Sequence, residues 1–144
     1  MTQLSPHFSL AEFTTSQEAA RRGLDNTPPP AVIEALKLTA QGLEAVRVRL
    51  GCAPIIVSSG YRSPAVNAAV GGSKTSQHMT GQAADIICPG FGAPTQVAAA
   101  LRDSGIAYDQ LILEFGRWVH ISFAPKPRHM ALIIDRDGTR PMWG

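Results

Sequence analysis

Only two cysteines, Cys52 and Cys88, occur in 144 residues, and they form no close pair. Neither a disulfide framework nor a multi-cysteine metal site can therefore organise this chain, and reduced thiols are expected. No run of eighteen apolar residues is present to cross a membrane. The opening Met1-Thr2-Gln3-Leu4-Ser5-Pro6 is polar and broken by proline, unlike a basic, apolar export leader, so accumulation in the cytoplasm is expected. Charge of one sign is also scarce: thirteen Lys and Arg oppose eleven Asp and Glu. The bases cluster only at Arg21-Arg22, at Arg47 and Arg49, and in the tail at Lys126, Arg128, Arg136 and Arg140. With aromatics at 6% and none interleaved among those bases, a nucleic-acid interface is a poor expectation. Internal repeats and low-complexity linkers are missing too.

What is present suits one domain spanning 1–144, since 44% of residues are hydrophobic and the length is that of a common single core. Pro28-Pro29-Pro30 opens the clearest helix, where Val32, Leu36, Leu43, Val46 and Leu50 recur at near-helical spacing before Gly51 stops it. Ser9 can cap a short turn through Phe13, and Ser16 another that ends at Gly23. Pro54 to Ser59 reads as a buried strand from its β-branched run, and Ser63-Pro64 starts a short helix through Ala69. Gly71-Gly72-Ser73-Lys74 reads as a flexible approach to the loop that carries His78. Ala83 to Cys88 is a second strand ended by Pro89-Gly90, and Pro94 to Arg102 is a helix burying Val97 and Leu101. Leu111 to Phe123 reads as a hairpin turning near Gly116. A last strand, Ala131 to Asp135, closes at Arg136-Asp137-Gly138. Strands paired as a meander with helices to one side give an α+β fold with a small, mainly antiparallel sheet.

The chemistry gathers in Ser76-Gln77-His78-Met79-Thr80-Gly81-Gln82-Ala83-Ala84-Asp85 and in Trp118-Val119-His120. Two imidazoles and one carboxylate form the ligand set of a zinc ion that keeps a position open for water, which suggests a hydrolase. Gly81 permits a backbone reversal between His78 on a loop and Asp85 on the next strand, so the two can converge. His120 must then arrive from the hairpin, on the strand face it shares with Trp118 and Ser122.

The pattern formed by Ser76, His78, Gly81, Ala83 and Asp85, completed by Trp118-Val119-His120, resembles that of the zinc D-alanyl-D-alanine carboxypeptidase family. Phe8 to Phe13, Asp25-Asn26-Thr27-Pro28-Pro29 and Ser59-Gly60-Tyr61-Arg62-Ser63-Pro64 extend the likeness to a branch containing small carboxypeptidase-like domains and phage or prophage lysins. The resemblance thins after about Pro125. It implies a hedgehog/DD-peptidase-like fold, Zn2+ held by His78, Asp85 and His120, and peptidoglycan peptides as substrate. A lysin-like protein can accumulate in the cytosol and still reach the wall, and the net charge of +2 with a pI near 8.8 favours approach to an anionic polymer.

One departure from the family pattern matters. Many of its members carry an acidic residue three positions before the last histidine ligand, where this chain has Arg117. Glu114, six positions before His120, is taken instead as the general base, because a hairpin can lay it beside the metal. The alternative for Glu114 is an exposed carboxylate paired with Arg117. The resemblance makes Arg62 a substrate-binding residue, and its planar fork suits a carboxylate, although such forks also brace loops. Ser76 either donates to substrate or braces the metal loop, and Trp118 either lines the cleft or packs in the sheet. His7 and His129 have no ligand-like neighbours. Two functions are compatible with this pattern: a zinc metallopeptidase acting on peptidoglycan stem peptides, as a carboxypeptidase or a lysin endopeptidase, or a non-catalytic, zinc-stabilised wall-binding module.

Overall fold

Serine and proline punctuation sets the helices. The computed structural model describes residues 2–143, and among them β1 (Gln3–Ser5) and β2 (Phe8–Ser9) pair as a small antiparallel hairpin that the sequence pattern did not announce. Ser9 then opens α1 (Leu10–Thr14) with a capping box, its hydroxyl accepting the Glu12 N–H while the Glu12 carboxylate accepts the Ser9 N–H. Ser16 caps α2 (Gln17–Arg22), and Gly23 ends it in the left-handed region. α3 (Pro30–Arg49) buries Leu36, Ala40, Leu43 and Val46 along one stripe. α4 (Pro64–Ala69) and α5 (Pro94–Arg102) also begin with proline in the first turn, where its missing N–H costs nothing.

Six strands build the main sheet: β3 (Ile56–Ser59), β4 (Ala83–Ile87), β5 (Gln110–Glu114), β6 (Trp118–Ser122), β7 (Met130–Asp135) and β8 (Gly138–Pro141). Their order is β3-β4-β6-β5-β7-β8. One face, carrying Ala84, Ile86, Leu111, Leu113, Val119 and Ile121, joins the apolar stripes of α3 and α5 in a single buried cluster. Each large aliphatic side chain enclosed there contributes roughly 1.5–3 kcal/mol. The fold is α+β with a mainly antiparallel sheet, as the pattern of elements implied.

The sheet departs from a simple meander at one pair, because β5 and β7 run parallel. β6 ends beside the start of β5, so the segment 123–129 need only step across that start before the chain turns upward again. β8 extends the sheet past the turn at which the chain was expected to close. The segment Pro54 to Ser59 is not a buried strand: β3 borders the sheet, paired only with β4, and Ile56 is 50% exposed. β-branched residues fit any pleated surface, so their presence does not distinguish edge from centre. The stretch expected to be a flexible approach is tied down at its centre by Asn67, the Gly72 N–H donating to the Asn67 carbonyl and the Asn67 Nδ2 to the Ser73 carbonyl.

Candidate metal centre and cleft

Alternation along the strands sends polar residues to the face away from the helices. Asp85 on β4 stands directly opposite His120 on β6, which in turn faces Ile112 on β5. Directly opposed side chains have Cβ atoms about 4.5–5.5 Å apart, so the ladder alone brings this acid and imidazole together. His120 Nδ1 lies 3.1 Å from Asp85 Oδ1.

His78 reaches the same oxygen from outside the sheet. Ser76 caps a 3₁₀ turn, Gln77–Thr80, by accepting the His78 N–H, and Gly81 reverses the chain at φ +78°. A side chain at Gly81 would be strained, and its Cβ would stand 2.9 Å from the Val32 carbonyl oxygen. Thr39 on α3 anchors the reversal by donating its hydroxyl to the Gly81 carbonyl at 2.6 Å. His78, 2% exposed, thereby sets Nε2 3.2 Å from Asp85 Oδ1.

The His78 ring has a defined polarity. Nδ1 is 2.7 Å from the Gly60 carbonyl, which can only accept, so Nδ1 carries the proton. In a neutral ring Nε2 then presents a lone pair to a carboxylate oxygen, a contact that needs a cation or a proton between them. The carbonyl contact is the type of support that orients imidazole ligands. His78, Asp85 and His120 each offer one donor atom, all within 4.8 Å of one another, and two imidazoles with one carboxylate fit zinc.

Glu114 lies two positions along β5 from Ile112, a diagonal neighbour of His120 across the hairpin. Its Oε1 is 3.8 Å from His120 Nδ1. Burial pushes its carboxyl above the ordinary range and the Asp85 charge adds to this, while His120, His78 and Arg62 oppose the shift. Asp85 behaves the other way. Burial disfavours its charge, but the His120 and His78 imidazoles beside it outweigh that and hold it well below the usual carboxylate range. The two neighbouring acids are therefore driven apart, one firmly ionised and one more basic.

A cleft of about 860 Å³ opens over these groups and takes in Arg62, Ser76, Trp118 and the three donors. The Arg62 backbone N–H donates to the His78 carbonyl at 3.0 Å. Its Nε is buried without a hydrogen-bond partner among the described residues. The Ser76 oxygen accepts the His78 N–H and braces that turn, while its own O–H still has a proton to donate. Trp118 packs tilted on Phe115 and also lines the cleft. Arg117 is exposed on the hairpin turn. That turn needs positive φ at both Phe115 (+55°) and Gly116 (+62°), and it closes through the Arg117 N–H on the Glu114 carbonyl. Both cysteines are free thiols, Cys52 exposed and Cys88 buried. His7 pairs with Glu44 and His129 stacks on Tyr108, both apart from the cluster.

Three residues with no sequence signature meet at one end of the cleft. Asp109, buried just before β5, accepts from Gln77 Nε2 and from the backbone and side chain of Arg128. Arg128 and Gln77 are 19 and 32 positions away from Asp109, and no spacing rule connects them.

Two metal donors on a sheet face and a third on the turn beside it, with a carboxylate next to them and an open cleft above, define a metal-site protein of the hydrolase class. The chain belongs to the Peptidase M15 family, whose sequence model matches residues 6–122. It is similar to the zinc D-Ala-D-Ala carboxypeptidase of Streptomyces albus G, at 42% identity over 64 residues, or 44% of this chain. The matched segment spans 23% of that relative's length.

Proposed function

We propose that the protein is a zinc-dependent peptidase that hydrolyses peptide bonds in peptidoglycan stem peptides. It either trims a terminal D-alanine or cuts within the peptide, by the lysin-like route to the wall that the sequence resemblance implies. The observation that carries this reading is the convergence of His78, Asp85 and His120 with Glu114 in one open cleft. Family membership and the carboxypeptidase relative support it.

His78, Asp85 and His120 would hold the metal. Zinc bound there would supply Lewis acidity, the chemistry that lowers the pKa of water towards neutrality and polarises a carbonyl. Glu114 accepts the proton of the attacking water and passes it to the leaving amine, so the carboxylate is regenerated in each turnover. Its raised proton affinity suits that exchange, and Asp85, firmly ionised, stays with the metal, so the two roles remain separate. Arg62 receives the substrate carboxylate, and Ser76 holds the His78 turn in place. Glu114 lies in the cleft and not at the surface with Arg117, which favours catalysis over a zinc-stabilised binding module. Among the described residues, no helix is long and apolar enough to cross a membrane.

Mass spectrometry of muropeptides incubated with zinc-loaded protein tests the proposal. Metal-dependent mass loss is expected, and the fragment mass names the bond. Glu114→Gln should keep one equivalent of zinc and lose about 10²- to 10⁴-fold in turnover, whereas His78→Ala should lose the zinc. Intact muropeptides with zinc bound would leave the binding module as the better description.

A further inference from the structure

Arg128 stands in the same cleft as the metal donors, at the end away from Glu114. Its side chain is 53% exposed, yet it is held by a carboxylate that is almost wholly buried. Asp109 Oδ1 accepts the Arg128 backbone N–H and Nε–H, each at 2.9 Å, and Oδ2 accepts from Nη2 at 2.7 Å. One edge of the guanidinium is thereby fixed. The other edge, Nη1 with the second Nη2 proton, has no hydrogen-bond partner among the described residues and is a second planar fork.

Asp109 also accepts from Gln77 Nε2 at 2.8 Å. A carboxylate can only accept, so the orientation of the Gln77 amide is settled: Nε2 faces Asp109 and Oε1 faces away, buried and without a partner among the described residues. Gln77 precedes His78, so one buried carboxylate ties the arginine to the turn that carries a metal donor.

Sheet register gives the spacing of the strand positions beneath these groups. Asp85, His120 and Ile112 form one row across β4, β6 and β5, Glu114 lies two positions beyond it, and Gln110, next to Asp109, lies two positions before it. At about 3.4 Å per residue, Gln110 stands roughly 7 Å from the row of the donors. That separation matches about two residues of an extended peptide. Arg62 interacts electrostatically with Asp85 and Glu114, so the two arginines flank the donors from different sides.

We propose that Arg128 is a specificity-determining residue that binds a backbone carbonyl of the substrate about two residues to the acyl side of the scissile bond. This rests on the peptidase reading above, with Arg62 holding the carboxylate on the leaving side. Asp109 already balances the arginine's charge. A second carboxylate on the open fork would be repelled by Asp109, whereas a neutral carbonyl gains the same hydrogen bonds without that repulsion. The contact recognises chain length and extension, and is indifferent to side-chain charge.

The test crosses substrate length with a variant. Wild type and Arg128→Lys, which keeps the charge and loses the fork, are compared on N-acetyl-D-alanyl-D-alanine and on the same dipeptide extended by two residues at its N-terminus. Arg128→Lys should lose about 10- to 100-fold in kcat/KM on the extended peptide, the range of a hydrogen bond to a charged group, and little on the short one. Calorimetric titration of metal-free protein with the extended peptide should show the same selective loss of affinity. Equal losses on both peptides, or none on either, would overturn the proposal, and thermal melts identify a folding defect as the cause of equal losses. If wild type cleaves neither peptide, the peptidase reading falls, and the metal-free titration still decides whether Arg128 binds the extended chain.

Discussion

Asp85, partly buried, and Asp109, buried, are both carboxylates held ionised, by different partners. Around Asp85 the partners are two imidazoles that would share a metal ion with it, so its charge is matched to an ion. Around Asp109 the partner is a permanent cation. Its hydrogen bonds from Arg128, opposed by burial and helped by Gln77, hold the carboxyl well below the ordinary range. A folded-state pKa below the unfolded value of about 3.9 gives stability that is fully present above that value and lost as pH falls through the folded one. Asp109→Asn should therefore cost about 1–3 kcal/mol at pH 7. Urea unfolding should show the gap to wild type closing below about pH 4, and a gap unchanged well below that value would remove the ionic account.

Where elements meet, Gly60 is the critical junction. It follows β3, its carbonyl receives the His78 Nδ1 proton, and the next residue, Tyr61, donates its N–H to the Phe13 carbonyl of α1 at 2.6 Å. A Cβ at position 60 would stand 2.5 Å from that Phe13 oxygen and 2.7 Å from Phe13 Cα. Backbone cannot rotate away as a side-chain tip can, so Gly60→Ala must separate α1 from the end of β3. Overpacking of this kind costs about 1–3 kcal/mol. The melting temperature should fall, and chelator competition should show weaker zinc binding because the His78 support moves.

The same scale explains what could be read from residue order. Helices announced themselves because serine caps, first-turn prolines and the stripe from Leu36 to Val46 are local signals. The metal donors were legible for a similar reason: a glycine reversal and strand alternation mark His78, Asp85 and His120, although Thr39 and the Gly60 carbonyl, which hold the His78 turn and ring, come from distant elements. Glu114 is singled out as the nearest carboxylate before His120 once Arg117 occupies the family's acidic position, and hairpin geometry lays it beside the donors. By contrast, the border position of β3, the parallel pairing of β5 with β7 and the existence of β8 depend on which strands become neighbours. Asp109, Gln77 and Arg128 were invisible because burial and tertiary pairing, not spacing, unite them.

Across the whole molecule, the donors sit on a scaffold that does not need them for its cohesion. β4 and β6 are joined by ladder hydrogen bonds, and their inward faces belong to the buried cluster shared with α3 and α5. Removing the metal should therefore abolish turnover and leave the chain folded, unlike a zinc finger, whose fold is its metal site. Circular dichroism after chelation should be nearly unchanged. The melting temperature should rise again on adding zinc, by an amount that grows with its free concentration.

The borders of the main sheet are unequal. β8 ends the sheet with Pro141, which lacks a backbone donor, and with Arg140 paired to Asp135, features that discourage a further strand. β3 has a register irregularity between Val57 and Ser59 but leaves Ile56 half open to solvent. A second polypeptide continuing the ladder would therefore join at β3, the strand beside Asp85. Crowding at high protein concentration would act first on the border nearest the metal donors, and dilution, not chelation, would reverse it.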